Sequence, residues 1–338
     1  MPRFAQLFKD TSPPLVWSEG WQGGTSEADP ALDKYSQATY TFTNTPNATM
    51  DFEFNGTFIG IYGAKRPGYG LYRIKLDGKL LPTFDASSAT PLYNQTLFNA
   101  TVPNGFHQIQ LINAGNTTLD VDYAYFEGHV GKDNEPLVPS TFQDNDPPFV
   151  FSPASSWHQS PRPGTFSAST GTITTDSSAT MVYTFQETWL TRPSIADVIL
   201  LYGTVTPANT PAYQVSVDNG PFRTFSAKKA SARPHQVLYY ASNLGRGTHT
   251  LRVKFPPTNG SMGDFAVDFA NLYSAPSLMG GGGKSLPTSV VAGLTISSVI
   301  AIFSLLASIY LLLRLRRQES GKKSIVGFKS ETMLEFDH

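Results

Sequence analysis

The residues best equipped to meet a ligand lie in the stretch GAKRPGYG, positions 63–70, where Lys65, Arg66 and Tyr69 stand between glycines and beside a proline. Glycine and proline hold such a loop in tight turns. A cationic pair next to an aromatic ring can stack on the C–H face of a sugar while donating hydrogen bonds to its hydroxyls. The same composition also suits a plain hairpin connection in which the glycines and proline serve turn geometry alone. Trp21, in EGWQGG, is a second stacking candidate; Trp157, in SSWHQS, occupies the matching place later in the chain. That recurrence favours a structural indole covering the end of a sheet. Tyr93 and Asn94, in PLYNQT, would line the same end, unless Asn94 carries a glycan that caps the surface. The candidate ligand-binding set is therefore Trp21, Lys65, Arg66, Tyr69 and Tyr93.

Other chemistries are disfavoured. Cysteine is absent, which removes disulfides, thiolate zinc sites and thiol catalysis, and the 6 histidines show no metal-type pairing. Asp144, Asn145 and Asp146 in FQDNDPP are oxygen ligands, yet FKDTSPP, the matching phrase near the start, keeps only Asp10 of them. A turn before proline accounts for both phrases, and no metal or cofactor is expected. Asp122 and Asp268 recur in LDVDY and FAVDF but belong to different halves of the chain, so they cannot form the close carboxylate pair of glycoside hydrolysis. Each is expected to hydrogen-bond within its own half. With no nucleophile elbow, His-Glu-X-X-His motif or phosphate loop, the expectation is a protein that is not an enzyme. A net charge of −1 argues against nucleic acid as a partner.

The elements that must position these residues come in two copies. Phe8, Asp10, Pro13, Pro14, Val16 and Ser18 recur as Phe142, Asp144, Pro147, Pro148, Val150 and Ser152. Tyr62-Gly63 matches Tyr202-Gly203, NGFHQIQLIN matches RGTHTLRVKF, and YRIKLDGK matches YQVSVDNGP. The last pair alternates apolar and polar residues and then meets Asp-Gly or Asn-Gly, a strong hairpin signal. Only 15% of residues are charged, while Phe (23), Tyr (15), Gly (28) and Pro (25) are plentiful, a composition of strands and turns. Each copy thus predicts an antiparallel β-sandwich of jelly-roll type. The phrase FKDTSPPLVW, the central FNGTFIGIYGAKRPGYGLYRIKLDG, PLYNQTLFNA and LDVDY resemble the tandem galactose-binding-like domains of single-pass membrane proteins of mushroom-forming (basidiomycete-type) fungi. That resemblance implies two tandem jelly-roll sandwiches at a cell surface, and it is looser in the second copy, where TVTPANTPA replaces AKRPGYG.

The boundaries follow from these patterns: a first sandwich over 1–131, a linker at 132–141, a second sandwich over 142–275 and a glycine-rich spacer at 276–288. Residues 289–313 contain no charge and would rise about 38 Å as a helix, enough to cross a bilayer. Arg314, Arg316, Arg317, Lys322 and Lys323 follow, which places the tail 314–338 in the cytoplasm. Asn-X-Ser/Thr sequons at Asn47, Asn55, Asn94, Asn99, Asn116 and Asn259 all precede this run, as expected for extracellular domains of a plasma-membrane glycoprotein. The first residues contain no apolar leader core, so a signal peptide upstream of the given sequence is the first expectation, with a span acting as reverse signal anchor or a tail-anchored protein as the alternatives. The expected partners are the lipid bilayer and glycans or wall polysaccharide; a non-binding adhesion stalk or wall sensor is the alternative.

Overall fold

The computed structural model describes residues 1–185, 196–257 and 262–278. They fall within one compact unit, Met1–Gly281. The first copy is built on the antiparallel order Arg3–Lys9, Tyr123–His129, Thr49–Lys65, Leu92–Asn113 and Leu71–Leu76. A short sheet of Leu119–Val121, Thr41–Thr43 and Trp21–Gly23 lies beside it. Alternation decides which faces are buried: Met50, Phe52 and Phe54 point into the core and Asp51 and Glu53 away from it, as the period-two pattern requires. Phe8, Phe52, Phe54 and Phe126 form the aromatic centre, with ring centroids 5.1–6.0 Å apart.

The second copy forms two sheets around one core. Val138–Gln143, Phe265–Ser274, Val198–Val205 and Arg233–Ala241 lie in one sheet. The other runs Phe149–Ser152, Thr180–Phe185, His249–Lys254, Tyr213–Val217 and Arg223–Phe225. The described residues are therefore all-β, as the composition indicates. Register shows how closely the copies correspond. Phe8 faces Ala124 across the first strand pair and Phe142 faces Ala270 across its counterpart. Two latches also repeat. The Tyr72 hydroxyl donates to the Leu97 carbonyl (2.6 Å) and the Tyr213 hydroxyl to that of Leu238 (2.5 Å). His107 Nδ1 lies 2.7 Å from Asp77 Oδ2, and His249 Nδ1 lies 3.0 Å from Asp218 Oδ2.

The copies are not beads on a string. In Val198–Val205, Ile199 and Leu201 enter the second core, whereas Val198 and Leu200, on the opposite face, join the core of the first copy. A strand buried on both faces reads as a continuous apolar run, which is why VILLYG lacks the alternation of its counterpart IGIYG. Tyr240 completes the junction, its ring 5.8 Å from Phe8 and 5.1 Å from Phe126. Polar stitches surround it: Arg223 pairs with Glu53 (2.6 Å), Arg233 donates to the carbonyls of Gln37 (3.1 Å) and Ala38 (3.0 Å), and Thr11 donates to Gln236 (2.7 Å). The stretch 132–141, read from sequence as a linker, already contains the start of the strand Val138–Gln143.

The expected span at 289–313, the cytosolic tail and most of the glycine spacer lie outside the described residues. No helix among the described residues is long and apolar enough to cross a membrane. Of the sequon asparagines, Asn47, Asn94, Asn99 and Asn116 are exposed, Asn55 is half-buried beside Tyr240, and Asn259 lies outside the described residues.

Candidate functional site

The loop at 63–70 brings Arg66 and Tyr69 beside Tyr93, which the sequence had placed with Trp21, and turns them on one another. Arg66 forms a two-pronged ion pair with Asp29 and sits over the rings of Tyr69 and Tyr93, at 5.7 and 5.4 Å from their centroids. The Tyr69 hydroxyl donates to Asp120 Oδ2 (2.7 Å), the Tyr35 hydroxyl donates to the same oxygen, and Asp120 Oδ1 accepts the Ala64 N–H (2.7 Å). Gly63 makes this approach possible, because a Cβ there would lie 2.7 Å from Asp120 Oδ1. Burial pushes the Asp120 carboxyl up to about 6, against those hydrogen bonds and the charge of Arg66. Burial also opposes ionisation of Asp29, but Arg66, the Ala31 N–H and the Tyr40 hydroxyl hold it below the usual carboxylate range.

Tyr35 lies at the centre of this knot, stacked 4.2 Å from Tyr40 and edge-on to Tyr93 at 5.3 Å. The hydroxyls of Tyr35, Tyr40 and Tyr69 and two guanidinium nitrogens of Arg66 are thus engaged within the cluster. Buried Asp29 and Asp120 thereby engage polar groups of Arg66 and Tyr69 that the sequence offered to a ligand. Lys65 is half-buried on the strand opposite Leu92, apart from this knot.

Trp21 lies elsewhere. It packs on Trp17, centroids 4.7 Å apart, and both indoles line a cleft of about 440 Å³ between the two sandwiches. One wall is Trp17, Trp21 and the edge of Tyr40 from the first copy; the other is the segment 224–231 of the second, carrying Lys228 and Lys229. Gly23 sets the separation of these walls, since a Cβ on it would come within 2.4 Å of Ala230 Cβ. The matching place in the second copy is occupied differently. Trp157 packs on Phe151 at 4.8 Å, is buried, and donates its indole N–H to the Ser152 carbonyl at 3.4 Å. The structural reading therefore fits Trp157. Trp17 and Trp21 are only half-buried, and their indole N–H groups are enclosed without an acceptor among the described residues.

Sequence reasoning named Trp21 but missed Trp17, Lys228 and Lys229. The usable signal was the departure between copies: Trp17 stands where the second copy has Phe151, and the doubled glycine after Trp21 has no counterpart after Trp157. It also missed Asp29, Tyr35 and Asp120. Asp122 and Asp268 do serve their own halves, accepting the N–H of Ser36 (3.0 Å) and of Ser167 (2.9 Å). Among the described residues no group of three His, Asp or Glu side chains is arranged to hold a metal ion.

No protein-family model matches the chain. A stretch of 118 residues, 34% of the chain, is 28% identical to an A type blood alpha-D-galactosamine galactosaminidase of Flavonifractor plautii, of which it spans 10%. Among solved structures, a Paenibacillus xanthan lyase is similar over 80% of this chain and 26% of its own length, at 13% identity and a TM-score of 0.31. A family 35 carbohydrate-binding module from an environmental isolate is matched over 93% of its length by 37% of this chain, at 13% identity and a TM-score of 0.29. The CBM36-1 domain of a multidomain xylanase from the hindgut metagenome of Trinervitermes trinervoides is matched over its full length by 38% of the chain, at 14% identity and a TM-score of 0.27. At such scores these likenesses decide nothing about what the cleft holds.

Proposed function

We propose that the protein binds glycan, without turning it over, in the cleft between its two sandwiches. The observation that carries this reading is the half-buried pair Trp17 and Trp21, packed on each other at the wall of the cleft. The cleft volume, about 440 Å³, falls in the range that encloses a few sugar rings. Tryptophan faces supply stacking surface to sugar C–H groups.

The reading extends to placement: a single-pass surface glycoprotein displaying both sandwiches outside the cell. Exposed asparagines at Asn47, Asn94, Asn99 and Asn116, together with the uncharged run 289–313 and the basic residues after it, support this.

The test is retention of the full-length chain, in a non-ionic detergent, on a panel of immobilised neutral and acidic polysaccharides. At least one should retain the protein, Trp21→Ala should reduce that retention about tenfold, and Trp fluorescence should change as ligand enters. Absence of retention on every polysaccharide would leave the adhesion-stalk reading in its place.

A further inference from the structure

The charges around the cleft are unequally committed. Its lining contains Asp10, Lys228 and Lys229. Asp10 has no free oxygen to offer: Oδ1 accepts the Thr39 hydroxyl (2.7 Å) and faces Lys9 Nζ (3.3 Å), while Oδ2 accepts the Thr41 hydroxyl (3.0 Å). The two lysine ammoniums, in contrast, have no hydrogen-bond or ion-pair partner among the described residues. Their backbone is nevertheless fixed, because Lys228 bridges to Thr206 and the Lys229 N–H donates to the Thr206 carbonyl at 3.1 Å. The hydroxyl groups of the lining and the Gln22 amide can donate or accept and so do not discriminate. What remains is a surplus of positive donors, the two ammoniums, with the one carboxylate of the lining already occupied.

Neutral sugars present hydroxyls that both donate and accept, and they are usually held by carboxylate or amide acceptors as well as by donors. Carboxylates and sulfates only accept. Building on the glycan reading above, we propose that the cleft selects acidic glycans, those bearing carboxylate or sulfate groups, and that Lys229 and Lys228 receive the charge. The ammonium of Lys229 is the stronger receptor because it is the more enclosed of the two. Its burial lowers its pKa to about 8, only partly opposed by Asp10, and an anion beside it would reverse that shift. Binding that needs the charged ammonium therefore weakens as the pH rises through about 8.

The experiment uses the full-length chain in non-ionic detergent and two matched pairs of immobilised polymers. Polygalacturonate against its methyl ester tests carboxylate, and dextran sulfate against dextran tests sulfate. Retention on one or both charged polymers should exceed that on the neutral partner about tenfold at about pH 7 and fall at about pH 9.5. Lys229→Gln should lower affinity for the charged polymer about tenfold and Lys228→Gln by less, with circular dichroism confirming the fold. Lys229→Arg should preserve retention at the higher pH. Lys79→Gln, at an exposed lysine outside the cleft, should change nothing.

Equal retention on charged and neutral partners would overturn the acidic-glycan inference while leaving glycan binding intact. Retention on charged polymers that survives loss of both cleft lysines would overturn it as well, exposing general ion exchange. No retention on any polymer would remove the glycan reading itself.

Discussion

Placing lysine at position 143 should stabilise the second sandwich above neutral pH, because the first sandwich shows what that position can do. Lys9 and Gln143 share a register, opposite Tyr123 and Phe269. In the first copy, the buried ammonium of Lys9 pairs with Asp122 and lies 3.3 Å from Asp10 Oδ1. In the second, Asp144 and Asp268 are equally buried, but the residue between them is the neutral Gln143. Asp144 Oδ1, Asp268 Oδ2 and Gln143 Oε1 are all buried without a hydrogen-bond partner. Burial, with a further push from the charge of Asp144, raises Asp268 to about 7. The one imidazole nearby, His235, is half-exposed, its Nε2 3.4 Å from Asp268 Oδ2.

The sign follows from linkage. A carboxyl whose folded value exceeds its unfolded value holds its proton longer when folded, so its stabilising share is present at low pH and is lost as the pH rises to about 7. A rise from 3.8 to about 7 corresponds to about 4 kcal/mol at full ionisation. A lysine at 143 supplies the missing counter-charge. We expect Gln143→Lys to recover about 2 kcal/mol at about pH 8 and little at about pH 5, where Asp268 is already protonated.

The assay is urea denaturation of wild type and variant across that range. Asp120, also raised by burial, tilts both proteins alike, so the difference between the two curves isolates position 143. Repeating the pair in a His235→Asn background removes any share of the imidazole. A variant less stable than wild type at about pH 8, or a difference independent of pH, would refute the argument.

The remaining predictions concern the two ends of the first sandwich and the junction. Lys9→Gln should cost about 3–5 kcal/mol in urea denaturation, since it strands Asp122 and Asp10 in the core. Arg66→Ala should lower stability by about 3 kcal/mol through the loss of the partner of Asp29, yet leave glycan retention intact once the fold is confirmed, a result that separates the closed knot from the cleft. Gly23→Ala, which brings a methyl within 2.4 Å of Ala230, should force the cleft walls apart, cost about 1–3 kcal/mol and weaken retention. Leu200→Asp, which plants a charge in the shared core, should expose protease-sensitive sites between the copies.

Much of the fold was legible because its signals are local. Alternation in YRIKLDGK and YQVSVDNGP, turn residues at Asp77 and Asp218, and the doubled Pro-Pro phrase each depend on neighbours along the chain. The junction was partly written in VILLYG, whose unbroken apolar run demands burial of both faces, though nothing local names what covers the second face. The candidate site was harder to read. Arg66, Tyr69 and Tyr93 carry the right groups for a ligand, and only the fold reveals that Asp29 and Asp120, distant in sequence, consume them. Residue type gives the capacity to bind; satisfaction decides whether any of it remains free.

The same rule explains why a duplicated sandwich can gain a function that neither copy holds alone. Identical positions in the copies are mostly those that settle internal debts of hydrogen bonding: Tyr72 and Tyr213, His107 and His249, Asp122 and Asp268. Positions where the copies part are the ones released from that duty. Trp17 in place of Phe151 leaves an indole donor unmet, and the second copy answers across the gap with Lys228 and Lys229, which lie in a segment whose backbone is pinned to Thr206. The cleft needs the junction, because the shared core of Val198, Leu200 and Tyr240 holds the two walls in register. Binding should therefore fail together with the junction: Leu200→Asp should abolish retention even though Leu200 does not line the cleft, whereas a direct substitution such as Trp21→Ala should reduce it about tenfold with the protease pattern of the wild type unchanged.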